Sequence, residues 1–227
     1  MFSQQLYYTF LASLPALGRF DRVERLPITI DRLRARFRIL PPEEAELLDR
    51  ALRLLSWRYQ RVERSDADTV ALYREMMAEP RLTEIVTFRA NLRTAVAALR
   101  HRHLGRPVPA SPDELGPGTN ARQLIKGWER PDFGLEHASP WLPELRAKLE
   151  RGETAEAEHL LLSVVWDFLN SLPVSHGAFR FEACIVYLFK WDVVERWLAY
   201  SKEGAMERLV SHIERLRADY HRAIAKV

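Results

Sequence analysis

Cysteine is almost missing from this 227-residue chain, where Cys184 stands alone. An intrachain disulfide is therefore impossible, which fits a reducing compartment. Lysine is scarce too, with 5 residues against 29 arginines. Acid and base nearly cancel, since 34 basic and 31 acidic residues leave a net charge of +3. Arginine usage alone thus points to no nucleic-acid partner. Long apolar runs are absent. The longest without a charge, such as Leu160 to Trp166 and Ala183 to Phe189, are too short to cross a bilayer. No basic start followed by an apolar stretch resembles a signal peptide. A cytoplasmic location is expected, or one peripheral to the inner membrane through a complex.

The signatures of common chemistry are also missing. The chain has no GxxxxGK[ST] or GxGxxG loop, no HExxH, no GxSxG elbow and no EF-hand loop. No catalytic residue, cofactor or metal centre is expected, and an enzyme is not. Glu156-x-x-His159 has the spacing of half a di-iron site. A second copy and two further glutamates would have to face it, so it reads as a surface pair near a helix start. His101 and His103 are two apart and do not share a helical face. Cys184 sits in an apolar helix and reads as core.

What is present is helical periodicity from end to end. The stretch 179–200 organises the rest. At 100° per residue, Glu182, Asp192, Glu195 and Arg196 share an arc of roughly 140°, and most of the remainder is apolar. Such a helix must be buried by its neighbours, with Trp191 and Trp197 as packing anchors. Lys190 breaks the pattern by falling among Ala183, Val186, Val194 and Trp197. A buried ammonium needs a carboxylate or must reach outward along its own stem. Lys190 is therefore a candidate for a buried ion pair.

The chain opens with a helix over 4–14, in which Tyr7, Tyr8 and Phe10 are expected to anchor the N-terminus in the core. Thr29 or Asp31 caps a short helix, Asp31 to Arg38. There Arg32, Arg34, Arg36 and Arg38 surround Leu33 and Phe37. This cluster is either a solvated face paired with nearby acids or a docking surface for an anionic partner. No aromatic platform accompanies it, so nucleic acid is not the expected partner. Pro41-Pro42-Glu43-Glu44 starts a helix predicted to reach Val62. The next runs from Ser65 or Asp66 to Met77, and a long one from Leu82 to His103, with Gly105 at its C-cap. Gly105 to Thr119 holds four prolines and three glycines. It divides the chain into an N-terminal helical part, 1–104, a loop, 105–119, and a C-terminal helical part, 120–227, or joins them within one compact domain. Further helices are predicted over 120–128, Trp141 to Arg151, Thr154 to Leu172 and 181–199, with a last one capped by Ser201. No strand or hairpin signal appears. The fold class is all-α, a multi-helix bundle of nine to ten helices.

Three stretches resemble a known family. Tyr7-Tyr8-Thr9-Phe10-Leu11-Ala12-Ser13-Leu14-Pro15 resembles the YYYLVASLP opening of an uncharacterised bacterial family whose genes lie among those for V/A-type ATPase subunits. Leu40-Pro41-Pro42-Glu43-Glu44-Ala45 is similar to that family's next motif. Phe181-Glu182-Ala183, Tyr187-Leu188-Phe189-Lys190 and Glu195-Arg196-Trp197 resemble its C-terminal signature. A fainter likeness, through Asn91-Leu92-Arg93, Gly105-Arg106-Pro107 and Pro117-Gly118, extends to the C-type subunit of the V/A-type ATPases, known as d in eukaryotes. That subunit is an all-helical, three-lobed funnel between the central stalk and the membrane rotor ring. The chain has Ala12-Ser13 where the funnel protein carries Ala-Arg, and it is shorter, so the likeness implies either a lost lobe, leaving two, or three reduced ones. The resemblance implies a non-catalytic subunit or assembly factor that couples stalk to ring, with those subunits as partners. The alternative is a stand-alone helical module that binds an anionic ligand or nucleic acid through Arg32–Arg38.

Overall fold

The computed structural model describes residues 2–56, 66–173 and 180–201. Among them are nine α-helices and no strand. They are α1 (Phe2–Ala12), α2 (Ile30–Phe37), α3 (Pro42–Leu55), α4 (Asp66–Met77), α5 (Thr83–His103), α6 (Ala121–Lys126), α7 (Leu142–Glu150), α8 (Thr154–Ser171) and α9, residues 181–201. α9 runs on through Ser201, whose hydroxyl donates to the Leu198 carbonyl at 3.1 Å, rather than ending at 199, and the last helix predicted after that cap lies outside the described residues.

Local chemistry sets most boundaries. The Thr29 hydroxyl accepts from the Arg32 amide at the start of α2, satisfying one orphan donor of the first turn. Pro42 opens α3 with Glu43 and Glu44 at the positive end of the helix dipole. At the end of α5, Gly105 adopts φ +65°. Its amide donates to the Arg102 carbonyl at 2.9 Å, and the Arg106 amide to His101 at 3.2 Å. Those two bonds form a Schellman cap, and glycine enters the left-handed region without a Cβ penalty.

Two boundaries depart from expectation. α1 stops at Ala12 rather than residue 14, where the Ser13 hydroxyl turns back to the Phe10 carbonyl at 2.7 Å. α3 stops at Leu55 rather than Val62. Ser56 is extended and fully buried, and its side chain hydrogen-bonds Asp192 of α9. A tertiary partner thus ends a helix whose periodicity would carry it further.

The buried apolar side chains form one cluster, from Phe10 in α1 through Leu48, Leu52, Val86 and Leu162 to Val194 and Leu198 in α9. Both halves of the chain contribute to it. The Pro/Gly-rich segment 105–119 is strapped to α4 and α5 and does not span a gap. Its Leu115 is buried, Arg74 of α4 pairs with Asp113 at 2.8 Å, and the Gly118 amide donates to the Thr94 hydroxyl at 2.8 Å. Its outer turn, Pro112–Glu114, is fixed by a capping box between Ser111 and Glu114.

Arg102 ties the next segment down. Its guanidinium donates to the carbonyls of Trp128, Arg130 and Pro131 at 2.9, 2.7 and 3.0 Å, and lies 4.0 Å from the centroid of the Phe133 ring. Gly127 lets this turn close, because a Cβ there would land on the Phe133 carbonyl.

Candidate functional site

The three motif stretches meet around α1, α3 and α9. Tyr7 donates its hydroxyl to Glu44 Oε1 at 2.7 Å. Arg81, in the turn between α4 and α5, reaches the same oxygen at 3.3 Å and pairs with Glu79 at 2.8 Å. Its guanidinium lies 4.7 Å from the Phe181 ring centroid at the start of α9. Burial, with the Glu44 hydrogen bond second, pushes the Tyr7 hydroxyl up to about 12. Further along α9, Tyr187 donates to the Pro15 carbonyl at 2.8 Å and Trp191 to the Ile28 carbonyl at 2.8 Å. Trp197 packs on the edge of Phe20 at 5.8 Å and on His159 at 5.2 Å.

Not every predicted anchor faces inward. Tyr8 is 49% exposed, whereas Phe10 is buried and Tyr7 packs against the core. One residue along a helix is a rotation of about 100°, which carries Tyr8 off the face that Tyr7, Phe10 and Leu14 share.

Lys190 is half-buried, and burial lowers its pKa. Its ammonium stands 5.7 Å from the ring centroid of Trp166 of α8, and among the described residues no carboxylate lies within ion-pairing distance. The charges that α9 does bury are Asp192, only 2% exposed, and Glu195. Desolvation pushes the Asp192 carboxyl up to about 6, opposed by Arg89 and by the Ser56 hydrogen bond. Arg89 is itself buried and donates to the Leu55 carbonyl at 2.8 Å. Spacing along α9 puts Asp192 on an arc with Glu195 and Arg196, the usual mark of a solvated face. Two of its partners, Ser56 just past α3 and Arg89 on α5, lie beyond the reach of any local pattern.

The arginine segment is only partly available. Arg34 pairs with Asp49 of α3 at 3.0 Å, and Asp49 also holds Arg53 at 2.6 Å. Arg32 and Arg38 are exposed, and Arg36 is half-buried. His159, offered by spacing as half a metal site, faces Asp21 at 3.4 Å and packs on Phe20. No group of three His, Cys, Asp or Glu among the described residues is placed to hold a metal. Cys184 is fully buried, and desolvation pushes its thiol up to about 12, which suits packing and not nucleophilic attack.

Among the described residues, three of the openings are large enough to admit a ligand. One of about 480 Å³ lies against α7, α8 and Trp197. One of about 330 Å³ is framed by Arg102, His103, Trp128 and Glu150. The third, about 310 Å³, lies between α4, α5, α8 and α9, and its polar lining is Arg89, Arg93, Arg100, Arg196 and Glu158, with Tyr73.

Residues 61–218 match the family model described as protein of unknown function (DUF2764). The chain belongs to that family. No curated protein and no solved structure matches it. The matched stretch takes in α4 to α9 and leaves out α1 to α3, so the Tyr7–Glu44 pair joins the matched body through Arg81 and Phe181. No helix among the described residues is long and apolar enough to cross a membrane.

Proposed function

We propose that the chain is a non-catalytic helical subunit or accessory factor of a bacterial V/A-type ATPase, standing in the place of the C-type funnel that couples the central stalk to the membrane rotor ring. The reading rests on the resemblance of its three motif stretches. One observation supports it most. Side chains of those motifs are spent on contacts inside the chain: Tyr7 on Glu44, Phe181 against Arg81, and Tyr187 on the Pro15 carbonyl. Residues used in this way fit a rigid coupling element better than a reaction site. Such an element must transmit torque without local yielding, and hydrogen bonds between distant helices supply stiffness. The exposed Arg32 and Arg38 suit an acidic segment of a neighbouring protein in the complex, because charge complementarity steers and orients docking.

Deletion of the gene tests this reading. Membranes from the deletion strain should keep ATP hydrolysis by the soluble head and lose ATP-driven proton transport. Unchanged proton transport with the chain absent would contradict it.

A further inference from the structure

We propose that the exposed turn after α5, residues 104–108, is a docking point for an anionic phospholipid surface. The site does not depend on the ATPase reading. Leu104 is 63% exposed and Val108 is 45% exposed, and they are two of the three large apolar side chains left in solvent among the described residues. The third, Tyr8, is on α1. Six consecutive residues, His103 to Val108, are exposed, and Pro109 behind them is buried.

The backbone of the turn is satisfied from within. The Leu104 amide donates to the Arg100 carbonyl at 3.0 Å, and the Schellman cap takes up the amides of Gly105 and Arg106. Pro107 has no amide to satisfy. The His101 ring, set at 82° to Trp128, donates from Nε2 to the Pro107 carbonyl at 2.8 Å and folds the turn back beside the end of α5. Backbone groups already paired inside the chain lose little when water is withdrawn. An apolar tip built on them can enter the headgroup layer without unfolding.

Charge selects the kind of surface. From Ile85 to Pro112 the sequence has no acidic residue. Arg100 precedes Leu104 by four residues and shares its helical face, and Arg106 lies inside the turn. Both are exposed, and neither has a carboxylate within ion-pairing distance among the described residues. Glu129 and Glu150 line an opening with Arg102, His103 and Arg146, and Glu150 pairs with Arg146 at 2.7 Å. Two guanidinium groups behind two apolar side chains match an anionic bilayer, with the tips at the acyl boundary and the cations among the phosphates. A five-residue turn falls far short of the roughly 1,000 Å² that a stable protein interface needs, whereas a lipid surface requires no shape complement.

Sedimentation of the full chain with vesicles at low ionic strength tests the site. One set of vesicles contains phosphatidylglycerol and phosphatidylcholine, the other phosphatidylcholine alone. The expected result is binding to the mixed vesicles only. Leu104→Ser/Val108→Ser, which leaves the charge unchanged, should weaken it roughly tenfold, and Arg100→Gln/Arg106→Gln should do the same. Arg32→Gln/Arg38→Gln should leave it unchanged. All of these side chains are exposed, so the variants keep the core intact. Binding to neither kind of vesicle would overturn the proposal and leave the turn to a protein partner. Equal binding to both kinds, binding indifferent to Leu104→Ser/Val108→Ser, or binding lost in Arg32→Gln/Arg38→Gln would each overturn it as well.

Discussion

Trp191 donates its indole N–H to the Ile28 carbonyl at 2.8 Å, joining positions 163 residues apart in the middle of the core. Both groups are out of water, so each depends on the other. Trp191→Phe keeps an aromatic ring but orphans the carbonyl, at about 1–3 kcal/mol. Trp191→Ala adds a cavity and should cost about 3–5 kcal/mol. Urea denaturation of the two variants checks both the order and the gap.

Glu44 is the shared acceptor of Tyr7 and Arg81. Tyr7→Phe removes one donor and should cost about 1 kcal/mol. Glu44→Ala strands the Tyr7 hydroxyl and takes from Arg81 one of its two carboxylates, leaving Glu79, and should cost more. Near-equal losses would mean that the two contacts do not share the carboxylate.

Asp192 gives stability a pH dependence of definite sign. Its folded carboxyl sits near 6 against an ordinary value of 3.8, so the folded state binds the proton more tightly than the unfolded chain does. The contribution is fully present below about pH 4 and is lost as pH rises through about 6. Asp192→Asn should flatten that window in denaturation midpoints measured from pH 4 to 7. A wild-type slope that survives the substitution would assign the effect to another group.

Two glycines separate steric from conformational cost. Gly127→Ala drives a Cβ onto the Phe133 carbonyl, which is backbone and cannot turn aside. Gly152 has φ +70° and nothing within 4 Å of an added Cβ. Gly152→Ala should cost only the left-handed penalty, about 1–2 kcal/mol, and Gly127→Ala more. Thermal midpoints of the two variants decide it.

The features legible in the sequence are those set by near neighbours. Thr29, Pro42 and Gly105 mark helix ends because capping is settled within one turn. The all-helical class follows from apolar spacing over the whole chain. The features that escaped depend on contacts between distant elements. Ser56 ends α3 because Asp192 holds it, and Arg102 gathers three carbonyls from a turn more than twenty residues away. The arginine cavity is of the same kind. Arg89, Arg93 and Arg100 read as ordinary helix residues until α8 and α9 are set beside them to frame the opening.

Affinity purification tests the proposed place of the chain in a V/A-type ATPase. The tagged chain would be drawn from its own membranes in mild detergent and its companions identified by mass spectrometry. The expected result is recovery of central-stalk and ring subunits in fixed proportion to the chain. Recovery of none, with the ATPase shown to be expressed and intact in the same cells, would contradict it.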